Sequence, residues 1–185
     1  MTWTIAPEPV DSGDAADALR AYLVDIVGRY HGRPATTAEV EQAIAEVSDD
    51  GLRPPDGQFL LARDASAERK EHGKHWEHGK HEEHGKRRAS PGVIGCAGVR
   101  LLSPKIAELK RLWVRPDARG LGLGGGLVRA AEQTAAGLGA TTMRLDTRSD
   151  LTEAQRLYAR HGYAEIAPYH HDDDYAELFF EKRLD

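Results

Sequence analysis

The order of elements in this 185-residue chain predicts an α/β (α+β) fold, a mixed sheet that is antiparallel first and partly parallel later. Three observations carry the prediction. Short apolar runs parted by turn residues fill the middle of the chain, helical spacing of apolar residues flanks them, and a strand, a glycine-rich turn and a helix follow one another from Ala107 to Leu138. Thr4 to Ala6 reads as a short first strand. Leu19, Leu23, Ile26, Val27 and Tyr30 then recur at helical spacing after the start signal Asp11-Ser12-Gly13-Asp14. Thr36 with Glu39 forms the pattern of a capping box, opening a second helix whose inward face is Val40, Ile44 and Val47. Phe59 to Ala62, Val93 to Leu102 and Ile106 to Val114 read as strands of an antiparallel meander, with Ser103-Pro104 turning between the last two. A helix from Leu123 to Leu138, a strand at Thr142 to Asp146, a helix at Leu151 to His161 and strands at Ala164 to Ile166 and Glu177 to Lys182 complete the order. That makes six to seven strands and about four helices.

Length and composition set the frame. With 40% apolar and 30% charged residues over 185 positions, one well-cored domain spanning 1–185 is expected. A net charge of -5 supplies no basic field for nucleic acid, and a cationic small molecule is the more compatible partner. Cys96 is the sole cysteine, so neither an internal disulfide nor a cysteine-rich zinc site can form. Met1 to Asp17 carries acids and prolines where a signal peptide needs a basic and then an apolar stretch, and no run approaches ~18 apolar residues; a cytoplasmic protein with no membrane partner is expected.

One stretch interrupts the order. Glu71 to Arg88 is a six-residue repeat rich in histidine, glycine, lysine and glutamate, within an expected loop insertion at about 65–91. His72, His75, His78, His81 and His84 recur every third residue and invite a metal reading. Gly73, Gly79 and Gly85 would weaken any helix aligning those rings, and the adjacent lysines and arginines would repel a cation. A solvated loop is the expectation, with no metal site.

The most informative residues are Arg119-Gly120-Leu121-Gly122-Leu123-Gly124, where a glycine turn meets a helix N-terminus and free amides point at whatever anion sits there. Two readings compete. Gly120, Gly122 and Gly125 satisfy the dinucleotide pattern G-x-G-x-x-G, with Asp146 placed for a ribose hydroxyl, which would make an NAD-dependent enzyme. Against it, Glu108, Lys110 and Arg111 alternate with Leu109 and Leu112 where such a strand should be continuously apolar. The turn is also too long, and the motif comes too late in the chain. No Gly-Lys-Ser/Thr follows, so a P-loop is excluded.

Read from Arg119, the segment Ala107 to Gly124 closely resembles the acetyl-CoA-binding segment of the GNAT N-acetyltransferase superfamily, Arg/Gln-x-x-Gly-x-Gly/Ala after a strand, with Arg119, Gly122 and Gly124 at the signature positions. Ala154 to Tyr163, with Leu157-Tyr158 and Gly162-Tyr163, resembles the family's Leu-Tyr-x-x-x-Gly-Phe/Tyr helix end. The resemblance implies a GNAT-like, mostly antiparallel central sheet flanked by helices, acting as a monomer or homodimer. It implies transfer of an acetyl group from acetyl-CoA to a primary amine by direct attack in a ternary complex. Leu112, Trp113 and Val114 would meet the pantetheine arm, and the amides of Arg119, Gly120, Leu121, Gly122, Leu123, Gly124 and Gly125 the pyrophosphate. Tyr158 would protonate the leaving thiolate and Glu108 would accept the amine proton. The plainer alternatives are a core tyrosine and a salt-bridged strand residue. Leu151 stands where the family often has asparagine, and Asp150 and Glu153 remain to cap that helix.

The acceptor site implied by the resemblance lies between the first two helices and the loop 169–174, whose acidic run Asp172-Asp173-Asp174 would attract a cationic small-molecule amine. A non-catalytic sensor that binds CoA or metal is the alternative from another class.

Overall fold

The computed structural model describes residues 2–65, 92–171 and 175–184; the histidine repeat at 71–88 and the acids at 172–174 lie outside them. In chain order the elements are β1 (Trp3–Glu8), α1 (Gly13–His31), α2 (Thr37–Glu46), β2 (Gly57–Asp64), β3 (Val93–Ser103), β4 (Ile106–Val114), α3 (Leu123–Gly137), β5 (Thr142–Thr147), α4 (Thr152–Arg160), β6 (Ala164–Ile166) and β7 (Leu178–Arg183). The expected elements are all present. β1 and β2 run longer than the sequence suggested, because each strand extends along its partner from Trp3↔Asp64 to Glu8↔Phe59.

Local chemistry sets the helix ends. Ser12 caps α1 by accepting from the Ala15 amide at 3.1 Å, and Gly32 ends it in the left-handed region. Thr36 and Glu39 close the capping box of α2 from both sides, at 3.3 and 2.8 Å. The inward face of α2 differs from the expected one. Val40 is buried, but Ile44 is exposed and Ala43 joins Val47 in facing inward, because α2 packs on α1 along a 40, 43, 47 stripe and leaves 44 on the outer side. At α4 neither expected acid caps the start: Asp150 is held by Arg148 and Glu153 by Arg29.

The strands form one sheet in the order β1-β2-β3-β4-β5-β7-β6. β1 to β4 make the antiparallel meander, β4 and β5 pair in parallel across the α3 crossover, and β7 pairs antiparallel with both β5 and β6. Each face has its own core. Leu109, Leu123, Leu127, Met143, Leu145 and Phe180 pack with α3 and α4 on one side, and Ala15, Ala18, Phe59, Leu61, Cys96 and Trp113 pack under α1 on the other. Gly126 explains one close contact: a Cβ there would lie 2.5 Å from the Trp3 indole, so only glycine lets α3 settle onto β1. Among the described residues, no helix is long and apolar enough to cross a membrane.

Candidate active site

The parallel ladder between β4 and β5 is short. It holds only Ile106↔Thr142, Ala107↔Met143 and Glu108↔Arg144, although β4 continues to Val114 and β5 to Thr147. Beyond Glu108 the two strands part into a wedge. A bulge against β3 sharpens the divergence: the register moves from Cys96↔Trp113 to Gly98↔Lys110, which sets Arg111 and Leu112 opposite a single residue. Arg111 adopts φ 56° and is fixed there on three sides. Its carbonyl accepts the Cys96 thiol at 3.3 Å, its guanidinium donates to Asp49 at 3.0 Å, and it lies over the Tyr22 ring at 5.9 Å.

The glycine turn stands at the wedge's open end. Gly120 and Gly122 have φ of 77° and 81°, and a Cβ on either would meet nothing within 4 Å, so the backbone conformation itself demands glycine there. Gly122 is the N-cap of α3, no side chain caps that end, and its carbonyl takes the first helical bond from Gly126 at 3.1 Å. The leading amides of α3 therefore face outward, as an anion site requires. The Arg119 guanidinium donates to the Val114 carbonyl at 2.9 Å and pairs with Asp25 of α1. Here it staples the turn to β4 and α1. Leu121 is exposed at the tip, whereas the Leu123 side chain is buried among the α3 core residues. Trp113 sends its ring into the α1-side core, so only its backbone borders the wedge.

Tyr158 lies on α4 and lines the cavity beside β4. It shares the cavity wall with Leu151 and Ala154, and Leu112 lies across from it. Its ring packs against Tyr163 at 5.9 Å and Phe180 at 6.2 Å, and burial, with the Tyr22 and Asp146 charges adding, pushes the phenol well above its ordinary pKa.

Glu108 is placed differently from expectation. It belongs to the last paired rung, not to the wedge, and its side chain is 0% exposed. Its carboxylate accepts from Arg100 at 2.5 Å and from the Tyr169 hydroxyl at 2.7 Å. The polar face of β4 is thus buried against charge partners instead of facing water. Asp146, one strand over, does reach the cavity wall. It accepts from Lys110 at 2.7 Å, and His170 stands between the carboxylates, 3.5 Å from Asp146 and 3.9 Å from Glu108. The sequence reading noticed Asp146 only as a ribose partner. The usable signal was the shared face of 108, 110, 144 and 146, which places opposite charges side by side on adjoining strands.

Ligand-type atoms of Glu108, Asp146 and His170 lie within 4.8 Å of one another, yet Arg100 and Lys110 already balance the two carboxylates, so the cluster is built as an ion-pair network. Of the loop before β7, the acids at 172–174 lie outside the described residues. Tyr169 and His170 turn inward onto Phe179, with ring centroids 5.3 and 5.1 Å from it.

A cavity of about 280 Å³ opens between the parted strands and the first two helices. It is bounded by α1 and α2 on one side, by Leu109 to Leu112, Asp146 and Tyr158 on the other, and by Tyr175. A dinucleotide does not suit this frame, because Asp146 is engaged with Lys110 inside the cavity and the strand before the turn has an antiparallel neighbour on one side.

Residues 39–163 match the sequence profile of the Acetyltransferase (GNAT) family. An uncharacterized N-acetyltransferase of Schizosaccharomyces pombe is 37% identical over 165 residues, covering 89% of this chain and 83% of the relative. An IAA acetyltransferase of Azospirillum brasilense is 31% identical over 99 residues, covering 52% of this chain and 65% of that one. Among solved structures, a GNAT-family acetyltransferase of Staphylococcus aureus superposes with a TM-score of 0.65 at 16% identity, covering 100% of both chains. The PaiA N-acetyltransferase of Thermoplasma acidophilum, solved in complex with coenzyme A, gives a TM-score of 0.65 at 17% identity and covers 99% of both. With the split sheet, the uncapped glycine turn and this match over most of its length, the chain belongs to the GNAT family of N-acetyltransferases.

Proposed function

We propose that the chain transfers the acetyl group of acetyl-CoA to the primary amine of a small molecule, by direct attack within a ternary complex. One observation carries the reading: Tyr158, Asp146 and Leu112 line a single cavity at the point where β4 and β5 part. The backbone of Leu112 to Val114 would hold the pantetheine arm, and the amides of Arg119 to Gly125 the pyrophosphate. The coenzyme A in the Thermoplasma acidophilum structure supports that class of cosubstrate.

The chemistry follows from the groups at hand. An alkylammonium with a pKa near ~10 must lose its proton before it can attack the thioester carbon. Asp146 is the cavity-wall carboxylate where the strands part and would take that proton; Glu108, the base expected from the sequence, is sealed behind it and would supply negative charge beside His170 without touching the amine. The nitrogen lone pair forms the C–N bond, the C–S bond breaks, and Tyr158 donates its proton to the departing thiolate. Burial keeps the phenol protonated until then.

Thermal shift with acetyl-CoA, followed by a thiol-release assay over amines, tests the reading. Acetyl-CoA is expected to raise the melting temperature, and at least one amine to release free thiol. Stabilisation by NAD without stabilisation by acetyl-CoA would sink it.

A further inference from the structure

Glu39, Arg111, Asp146 and Arg148 bring charge to the cavity wall, and each is already answered from within the protein. Asp146 faces Lys110 at 2.7 Å, Arg111 faces Asp49 at 3.0 Å, and Glu39 faces Arg33 at 2.5 Å. Arg148 is held by both oxygens of Asp150 at 2.6 and 2.7 Å and donates to the Ile26 carbonyl at 3.0 Å. Glu46 takes its hydrogen bond from the neutral Gln42 amide at 2.8 Å, but it is exposed at the end of α2. An acceptor carboxylate would have to break the Arg148 or Arg111 pair, and among the described residues a second ammonium would find only the exposed Glu46 at the end of α2.

The remaining wall is apolar and aromatic. Leu23, Ile26 and Val27 of α1 face Ala43 of α2 and Val47 just beyond its end across the cavity. Tyr22 lies deeper, and at the rim Tyr30 and Tyr175 meet edge to face at 5.1 Å, with Arg148 over Tyr30 at 5.3 Å. Such edges and faces suit a flat ring. A peptide chain would instead set its amides against Ile26, Val27 and Val47, where they find no partner. At about 280 Å³ the cavity lies near the lower end of small-molecule pockets, ~300 Å³, and it must hold the acetyl group as well.

We infer that the acceptor is a small arylalkylamine: a single amino group on a short arm from an aromatic body, with the nitrogen at Asp146 and Tyr158 and the ring between α1 and α2. The assignment rests on the acetyl-transfer reading above and narrows its acceptor.

The test is thiol release from acetyl-CoA by the full chain with 2-phenylethylamine, spermidine and an N-terminally blocked lysine peptide. The kcat/KM for 2-phenylethylamine is expected to exceed both others by roughly tenfold or more, the discrimination an apolar pocket provides. Val47→Asp, which sets a carboxylate on the apolar wall, should raise the KM for 2-phenylethylamine and narrow its lead over spermidine. A kcat/KM for spermidine or the peptide equal to or above that for 2-phenylethylamine overturns the arylalkylamine assignment and leaves acetyl transfer standing. Binding of acetyl-CoA with no thiol release by any amine overturns acetyl transfer itself, and the assignment with it.

Discussion

The two ends of β4 belong to one nine-residue strand and live in opposite surroundings. At Ile106 to Glu108 the strand is paired on both sides, and its carboxylate is sealed between Arg100 and Tyr169. From Leu109 to Val114 it has lost β5 and carries a bulge, and Leu109 to Leu112 form the wall of a cavity. The difference lies in where a ladder stops, not in composition, since both halves mix charged and apolar residues. A strand whose pairing ends partway can serve as scaffold at one end and as reactive wall at the other.

Tyr158→Phe strikes at the parted end and should have the largest effect, a fall in turnover of roughly a hundredfold in the thiol-release assay, within the range typical of general acids. The acetyl-CoA thermal shift should persist; unchanged turnover would leave the parted end without its acid. The raised pKa means that the acid form persists as pH rises, so deprotonation of Tyr158 should cost wild-type activity only well above pH ~10.

Glu108→Ala addresses the paired end. It leaves Arg100 and the Tyr169 hydroxyl facing an empty site, and should lower unfolding free energy by about 2 kcal/mol in a denaturant titration, moderated because Arg100 is partly hydrated. A variant as stable as the parent would show that the paired end is not the scaffold it looks to be. Gly122→Ala tests the turn beyond the parted end: with φ at 81°, a side chain should cost about 1 kcal/mol, and the acetyl-CoA thermal shift should shrink. An unaltered melting curve and ligand response would mean that the turn tolerates the change freely.

What the sequence made legible follows the same division. The capping box of α2 and the glycine turn opening α3 are local matters, decided within a few residues, and both were readable in advance. The burial of Glu108 was not, because it depends on Tyr169 from 61 residues further along. Asp146 escaped notice as a cavity residue for a related cause: its neighbour Lys110 lies 36 residues away and comes beside it only once β4 and β5 are aligned. Arg119 illustrates a third kind of miss, since its signature position was plain while its partner Asp25 lies 94 residues back on α1. Ile44 belongs here too, as its helical spacing was correct and only the direction from which α1 approaches turned it outward.

The early end of the β4–β5 ladder has a cost for the empty protein. Past Glu108 and Arg144 the sheet carries a strand edge in its interior, a row of peptide groups whose pairing on that side has ceased. Proteins ordinarily shield such rows with charge, bulges or a covering element, and here the β4 bulge, the Lys110–Asp146 pair and the cover of α1 and α2 do so. An extended amide-bearing ligand laid along it would act as a substitute strand, closing the sheet by the same backbone chemistry that pairs β3 with β4.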